Sequence, residues 1–94
     1  MNTITQNDKG QFKLNTKWGS ETIHLIHCSE TLEEIKQDVA TPYIVAEEAT
    51  NYPRLHLVTD FSEDEAFQQV DEYLREQENI QESHLITVFQ VEID

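Results

Sequence analysis

Carboxylates are the residues with which this chain could do most, and they come in two dense sets. Glu30, Glu33, Glu34 and Asp38 form the first; Glu63, Asp64, Glu65, Asp71, Glu72, Glu76 and Glu78 form the second. On a helix, the i,i+4 neighbours Glu30/Glu34, Glu34/Asp38 and Glu72/Glu76 would face each other as like charges, each pair costing about 0.2–0.5 kcal/mol. Asp71 with Arg75 is the opposite-charge pair at that spacing. A helix tuned for its own stability alternates signs on its exposed face, so these sets point to a surface whose cost is recovered on binding. Helix neighbours of this kind stand ~5–6 Å apart, close to the ~7 Å between successive phosphates of one DNA strand. A rigid acidic helix can therefore offer a DNA-like row of negative charge. The competing reading is an ordinary solvated face, and Glu30, Glu63, Asp64 and Glu65 also have a local role, because acidic residues in a first helical turn favour the macrodipole. Asp71, Glu72, Glu76 and Glu78, further along, carry more of the weight.

Other chemistry is weakly signalled. His24, His27, His56 and His84 fall on or beside expected strands, but none has the i,i+4 spacing of a helical zinc pair, and Cys28, the single cysteine, lacks a CxxC partner. No metal site or cofactor is expected. Nucleophilic catalysis needs a base and an orienting acid around Cys28 or a serine, and no local signature of that kind surrounds them. Walker, GxGxxG and EF-hand spacings are absent, and two glycines leave little for a phosphate cradle. The expectation is a binding protein that is not an enzyme.

Composition supports this. The 94 residues suit one domain spanning 1–94, and a net charge of −13 from 19 acidic and 6 basic residues excludes direct nucleic-acid binding. The first 20 residues hold Lys9, Lys13 and Lys17 against Asp8, a local charge of +2, which leaves −15 on the rest. Charge of this size strains the compact state and steers encounters with an oppositely charged partner, here a Lys/Arg-rich protein surface. A single cysteine allows no internal disulfide, the N-terminus lacks a signal-peptide pattern, and no apolar run approaches a membrane span; the expected location is the cytoplasm, with no membrane partner.

The elements that must position these groups follow from periodicity. Phe12, Leu14 and Thr16 alternate with Lys13 and Lys17, which predicts a strand over 11–18; residues 22–28 form a second. Ser29 or Thr31 can cap a helix, Thr31 and Glu34 forming a capping box with Leu32, Ile35 and Val39 at helical spacing and Pro42 as the stop. A hairpin is predicted from the apolar run 43–46 and from Leu55, Leu57 and Phe61, the alternative being a helical continuation through 46–50. Ser62 and Glu65 box the start of a helix over 63–78 with Ala66, Phe67, Val70, Tyr73 and Leu74 as its apolar stripe. Residues 84–93 read as one long strand, with Leu85, Phe89, Val91 and Ile93 sharing a face. From Thr22 onward the order is that of an α+β, ferredoxin-like βαββαβ fold, a mostly antiparallel sheet with two helices on one face and an extra N-terminal strand. That strand either extends the sheet or covers its open face. Trp18 and Tyr52, beside turns, are candidate contact residues, whereas Tyr73 belongs to the core stripe.

With its acidic helical faces 30–38 and 63–78, the chain resembles the small phage-encoded inhibitors that mimic DNA, including anti-CRISPR and anti-restriction proteins. The resemblance is one of class and carries no shared motif. It implies competitive occlusion, with carboxylates filling the Lys/Arg channel of a nucleic-acid complex in the host cytoplasm. Two alternatives stand beside it: an immunity protein that neutralises a cationic nuclease toxin, and a ferredoxin-like enzyme or small-ligand regulatory domain.

Overall fold

Two strands set the architecture. In β5 (Thr41–Glu47) every residue from Tyr43 on is buried, and in β6 (Arg54–Asp60) the run Leu55 to Val58 is buried throughout. Successive side chains of a strand point to opposite faces, so a continuous buried run requires cover on both sides of the sheet. The computed structural model, which describes residues 2–26, 35, 37, 39–48, 53–79 and 84–93, shows what supplies each cover.

One face is covered by a second sheet. The strands β1 (Thr3–Gln6), β2 (Phe12–Thr16) and β3 (Gly19–Thr22) form an antiparallel meander, and β8 (Glu92–Ile93) joins it parallel to β1, giving the order β3-β2-β1-β8. The central sheet is β4 (Leu25–Ile26), β6, β5 and β7 (Leu85–Gln90) in that order, with β4 parallel to β6 and the other pairs antiparallel. Ile4 and Leu14 from the first sheet meet Ile44, Ala46, Leu55 and Leu57 from the second, with Ile23, Ile35 and Val91 closing the cluster. The other face of the central sheet, Tyr43, Val45 and Val58, packs under Ala66, Val70 and Leu74 of helix α1 (Glu63–Gln77). The layers therefore run sheet, sheet, helix, with one core on each side of β5 and β6. Each fully buried Leu, Ile or Val contributes about 1.5–3 kcal/mol.

Both flanks of the sandwich are joined by a strand that bends from one sheet into the other. Ile23 N–H donates to Phe12 C=O in the outer sheet, and the next residue, His24, donates to Leu55 C=O in the central one. On the opposite flank Val91 N–H donates to Pro42 C=O and Glu92 N–H to Asn2 C=O. Adjacent residues of an extended chain point their amides to opposite sides, so a single bend at Ile23 or Val91 serves both ladders, and the buried side chains of these two residues fill the corners.

These findings correct the ferredoxin-like expectation: the described residues hold two four-stranded sheets and one continuous helix, a mostly β arrangement. The expected strand over 22–28 is divided into β3 and β4 at its corner, and the one over 84–93 into β7 and β8. The expected lone N-terminal strand is part of a complete sheet. A register shift between Ala46 and Glu47 breaks the alternation of β7, turning Leu85 to the helix side while Phe89 faces the other sheet. Pro42 lies within β5 and does not precede it as a helix stop, and the hairpin predicted over 43–61 holds, but Phe61 is 71% exposed and Val39 88% exposed, so neither joins the core stripe assigned to it. Most of the first predicted helix lies outside the described residues, apart from helical Ile35 and Gln37.

Candidate partner-binding surface

Helix α1 starts where the sequence predicts. Ser62 is the N-cap, its Oγ accepting the Glu65 N–H at 3.2 Å, and Glu63, Asp64 and Glu65 occupy the first turn. The helix closes at Glu78, whose N–H reaches Leu74 C=O, with Asn79 in the left-handed region at φ 54°. Burying Ala66, Val70 and Leu74 fixes its rotation, which leaves Glu63, Asp64, Glu65, Glu72 and Glu76 exposed. Glu65, Glu72 and Glu76 follow one outward stripe, about 10 and 6 Å apart along the axis.

The two remaining helix carboxylates are engaged within the molecule. Arg75 Nε donates to Asp71 Oδ2 at 3.0 Å, the pair foreseen at i,i+4. Glu78 receives both terminal nitrogens of Arg54 at 3.1 Å, a bidentate clamp between the helix end and β6. Of the residues picked from sequence, Asp64, Glu72 and Glu76 are thus outward-facing, Asp71 and Glu78 are ion-paired, and Glu30, Glu33, Glu34 and Asp38 lie outside the described residues.

Two features escaped the sequence reading. Asp60, at the end of β6, meets Glu65 in an open groove of about 290 Å³ that Gln68, Gln69 and Glu72 also line. Hydrogen bonding to the Asp60 carboxylate holds the Glu65 carboxyl above its usual range. The Phe61 N–H donates to Asp60 Oδ1 at 2.9 Å. No spacing rule could have paired residues on a strand and a helix.

The second feature is a buried polar cluster. Glu47 is directly below Arg54 in the β5–β6 register, and its Oε1 lies 3.0 Å from His56 Nε2 and 3.5 Å from Arg54 Nε. Burial pushes the His56 imidazole below its ordinary pKa, more than the bond to Glu47 raises it, so the neutral ring donates Nε2–H to the carboxylate at neutral pH. The Glu78 hydrogen bond pushes the Arg54 guanidinium further up, and it stays charged. His24 is also built into the fold, its Nδ1 accepting the Leu55 N–H at 3.0 Å. Among the described residues no three His, Cys, Asp or Glu converge to hold a metal ion, and His27 and Cys28 lie outside them.

The cations are distributed in a way the linear sequence only hinted at. Lys9, Lys13 and Lys17 all belong to the outer sheet and its turns, on the far side of the molecule from α1. Arg54 and Arg75, the only cations in the described helix layer and central sheet, are each bound to carboxylates. Among the described residues no cation pairs with the outward carboxylates of α1. A second groove, about 400 Å³ and lined by Ile35 and residues 39–42 and 90–93, has walls of mixed polarity and Glu92 as its one titratable lining residue. Among the described residues no helix is long and apolar enough to cross a membrane.

No family model matches the chain, no curated protein is significantly similar to it, and no solved structure matches its fold.

Proposed function

We propose that the chain is a binding protein whose α1 face docks on a Lys/Arg-rich, nucleic-acid-binding surface and excludes the nucleic acid from it. The observation that supports this most is the segregation of charge across the layers. Asp64, Glu65, Glu72 and Glu76 project from a rigid helix with no unpaired cation in its layer among the described residues, while Lys9, Lys13 and Lys17 stand on the opposite sheet. Axial separations of about 6 and 10 Å along α1 bracket the ~7 Å phosphate spacing. Packing of Ala66, Val70 and Leu74 and the Arg54–Glu78 clamp hold the row in place before a partner arrives, which reduces the entropy lost on docking. The chemistry required is charge and shape alone, with no reacting group.

The test is competition. A nucleic-acid-binding complex recovered on the immobilised chain at 50 mM salt, about the lower bound at which phosphate-type contacts are strongest, should lose duplex DNA when the chain is added and regain it as salt rises. Asp64→Lys/Glu72→Lys/Glu76→Lys should weaken that competition at least about tenfold while leaving the fold intact, since these side chains are exposed. Unaltered competition by the triple variant would remove α1 from the interface.

A further inference from the structure

The outer sheet carries a feature that charge on α1 does not explain. Trp18 is 84% exposed, the only tryptophan in the chain, and it sits at the β2–β3 turn with the Lys17 ammonium 4.4 Å from the centre of its ring. The turn is built to hold it there. Trp18 N–H donates to Thr16 Oγ1, that hydroxyl donates to Gly19 C=O, and Gly19 adopts φ 137°, a conformation open to glycine and strained for other residues.

Beside it, β3 is exposed along its whole length, and among the described residues no strand pairs with its outer edge. Ile23 bonds Phe12 across the ladder, so in the β2–β3 register Gly19, Glu21 and Ile23 point their backbone groups at β2, while Ser20, Thr22 and His24 point theirs outward. His24 spends its N–H on Leu55 of the central sheet. The outward backbone groups of Ser20 and Thr22 have no backbone partner among the described residues. Two ammonium groups flank this gap. Lys13 Nζ reaches across β2 to Thr22 Oγ1 at 2.8 Å, and Lys17 lies at the Trp18 end, roughly 13 Å away along the strand. Glu21, the one acid on β3, pairs with Leu14 in register and so projects from the opposite face to Lys13.

We infer that the β2–β3 hairpin is a second interaction surface, which captures an extended acidic segment of a partner protein by adding it as a strand to β3. Main-chain bonds to Ser20 and Thr22 supply the pairing, Trp18 supplies the apolar anchor, and Lys13 and Lys17 select carboxylates on the incoming strand. The surface is independent of the α1 reading: it lies on the other side of the molecule and has the opposite charge.

The probe is a ten-residue peptide alternating Thr and Val with two glutamates at each end, added to the full chain. Because Trp18 is the sole tryptophan, its emission reports this site alone, and amide exchange resolved by NMR reports the edge. Binding should blue-shift Trp18 emission and slow exchange at Ser20 and Thr22 at least tenfold. Lys13→Glu/Lys17→Glu should weaken binding at least tenfold, and Thr22→Pro, which removes the outward N–H together with the hydroxyl that receives Lys13, should do the same where Thr22→Val, which removes the hydroxyl alone, does not. Glu72→Lys/Glu76→Lys should leave it unchanged, which separates this surface from the α1 face. Equal binding of a lysine-flanked peptide, or of neither peptide, overturns the proposal. So does a thymidine oligonucleotide that shifts Trp18 without protecting Ser20 and Thr22, which reassigns the hairpin to phosphate. Protection that grows with protein concentration in the absence of peptide reassigns the edge to a second copy of the chain.

Discussion

Acid should weaken this protein through His56 in a way that one substitution isolates. The ring is completely buried, and burial outweighs Glu47 in setting its pKa below 6.5. Between that lowered value and 6.5 the unfolded chain binds a proton that the native state refuses. Stability is therefore complete above 6.5 and declines as pH falls through the window, by at most about 1.4 kcal/mol per pH unit for one proton. Other groups titrate nearby, and relief of the −13 self-repulsion acts in the opposite direction. His56→Gln keeps an amide donor for Glu47 and cannot be protonated, so subtracting its stability from that of the parent at each pH cancels the rest. Urea unfolding followed by far-ultraviolet circular dichroism is the suitable assay, because exposed Trp18 changes little on unfolding. From pH 7.5 to 5.5 the parent should lose up to about 1.4 kcal/mol relative to the variant. A flat difference, or a parent that gains on acidification, would mean that Glu47 holds a charged imidazolium in the fold and that burial is not the dominant effect.

Three further outcomes follow from the same contacts. Leu74→Ala, which opens a hole between α1 and the central sheet, should cost about 2–5 kcal/mol in urea unfolding. Ser62→Ala removes the N-cap acceptor and should cost about 1 kcal/mol, read as a lower Tm with unchanged helix content. The raised Glu65 carboxyl contributes stability that is present below its ordinary pKa and lost as pH rises through its raised folded value; Glu65→Gln should abolish that dependence, so its Tm should match or exceed the parent's at pH 7 and lose its relative advantage near pH 4.

Helix α1 was legible almost to the residue, because its cap, its apolar stripe and its Asp71–Arg75 pair are all local, set by spacings of three and four. The β5–β6 hairpin was legible from its apolar runs, while the expected turn residues Asn51 and Tyr52 lie outside the described residues. Those same runs, Tyr43 to Ala46 and Leu55 to Val58, held the signal for the correct layering: they do not alternate, so both faces needed cover, and one helix covers only one. The ferredoxin-like reading left one sheet face open or covered by the N-terminal strand alone, whereas a complete second sheet covers one face and α1 the other, over Val45 and Val58.

What sequence alone determined is the sign and size of the charge, the surplus of lysine over acid in the first 20 residues and the helix that displays the acids. Composition and near-neighbour periodicity are local properties, and no fold can alter them. Only the tertiary structure decided which carboxylates remain outward. Arg54 reaches Glu78 across 24 positions of sequence, and Asp60 reaches Glu65 from strand to helix. It also decided where the long strands bend, since at Ile23 and Val91 the bend is dictated by which sheet offers the next backbone acceptor, a fact held by the partner strands and not by the bending residues themselves.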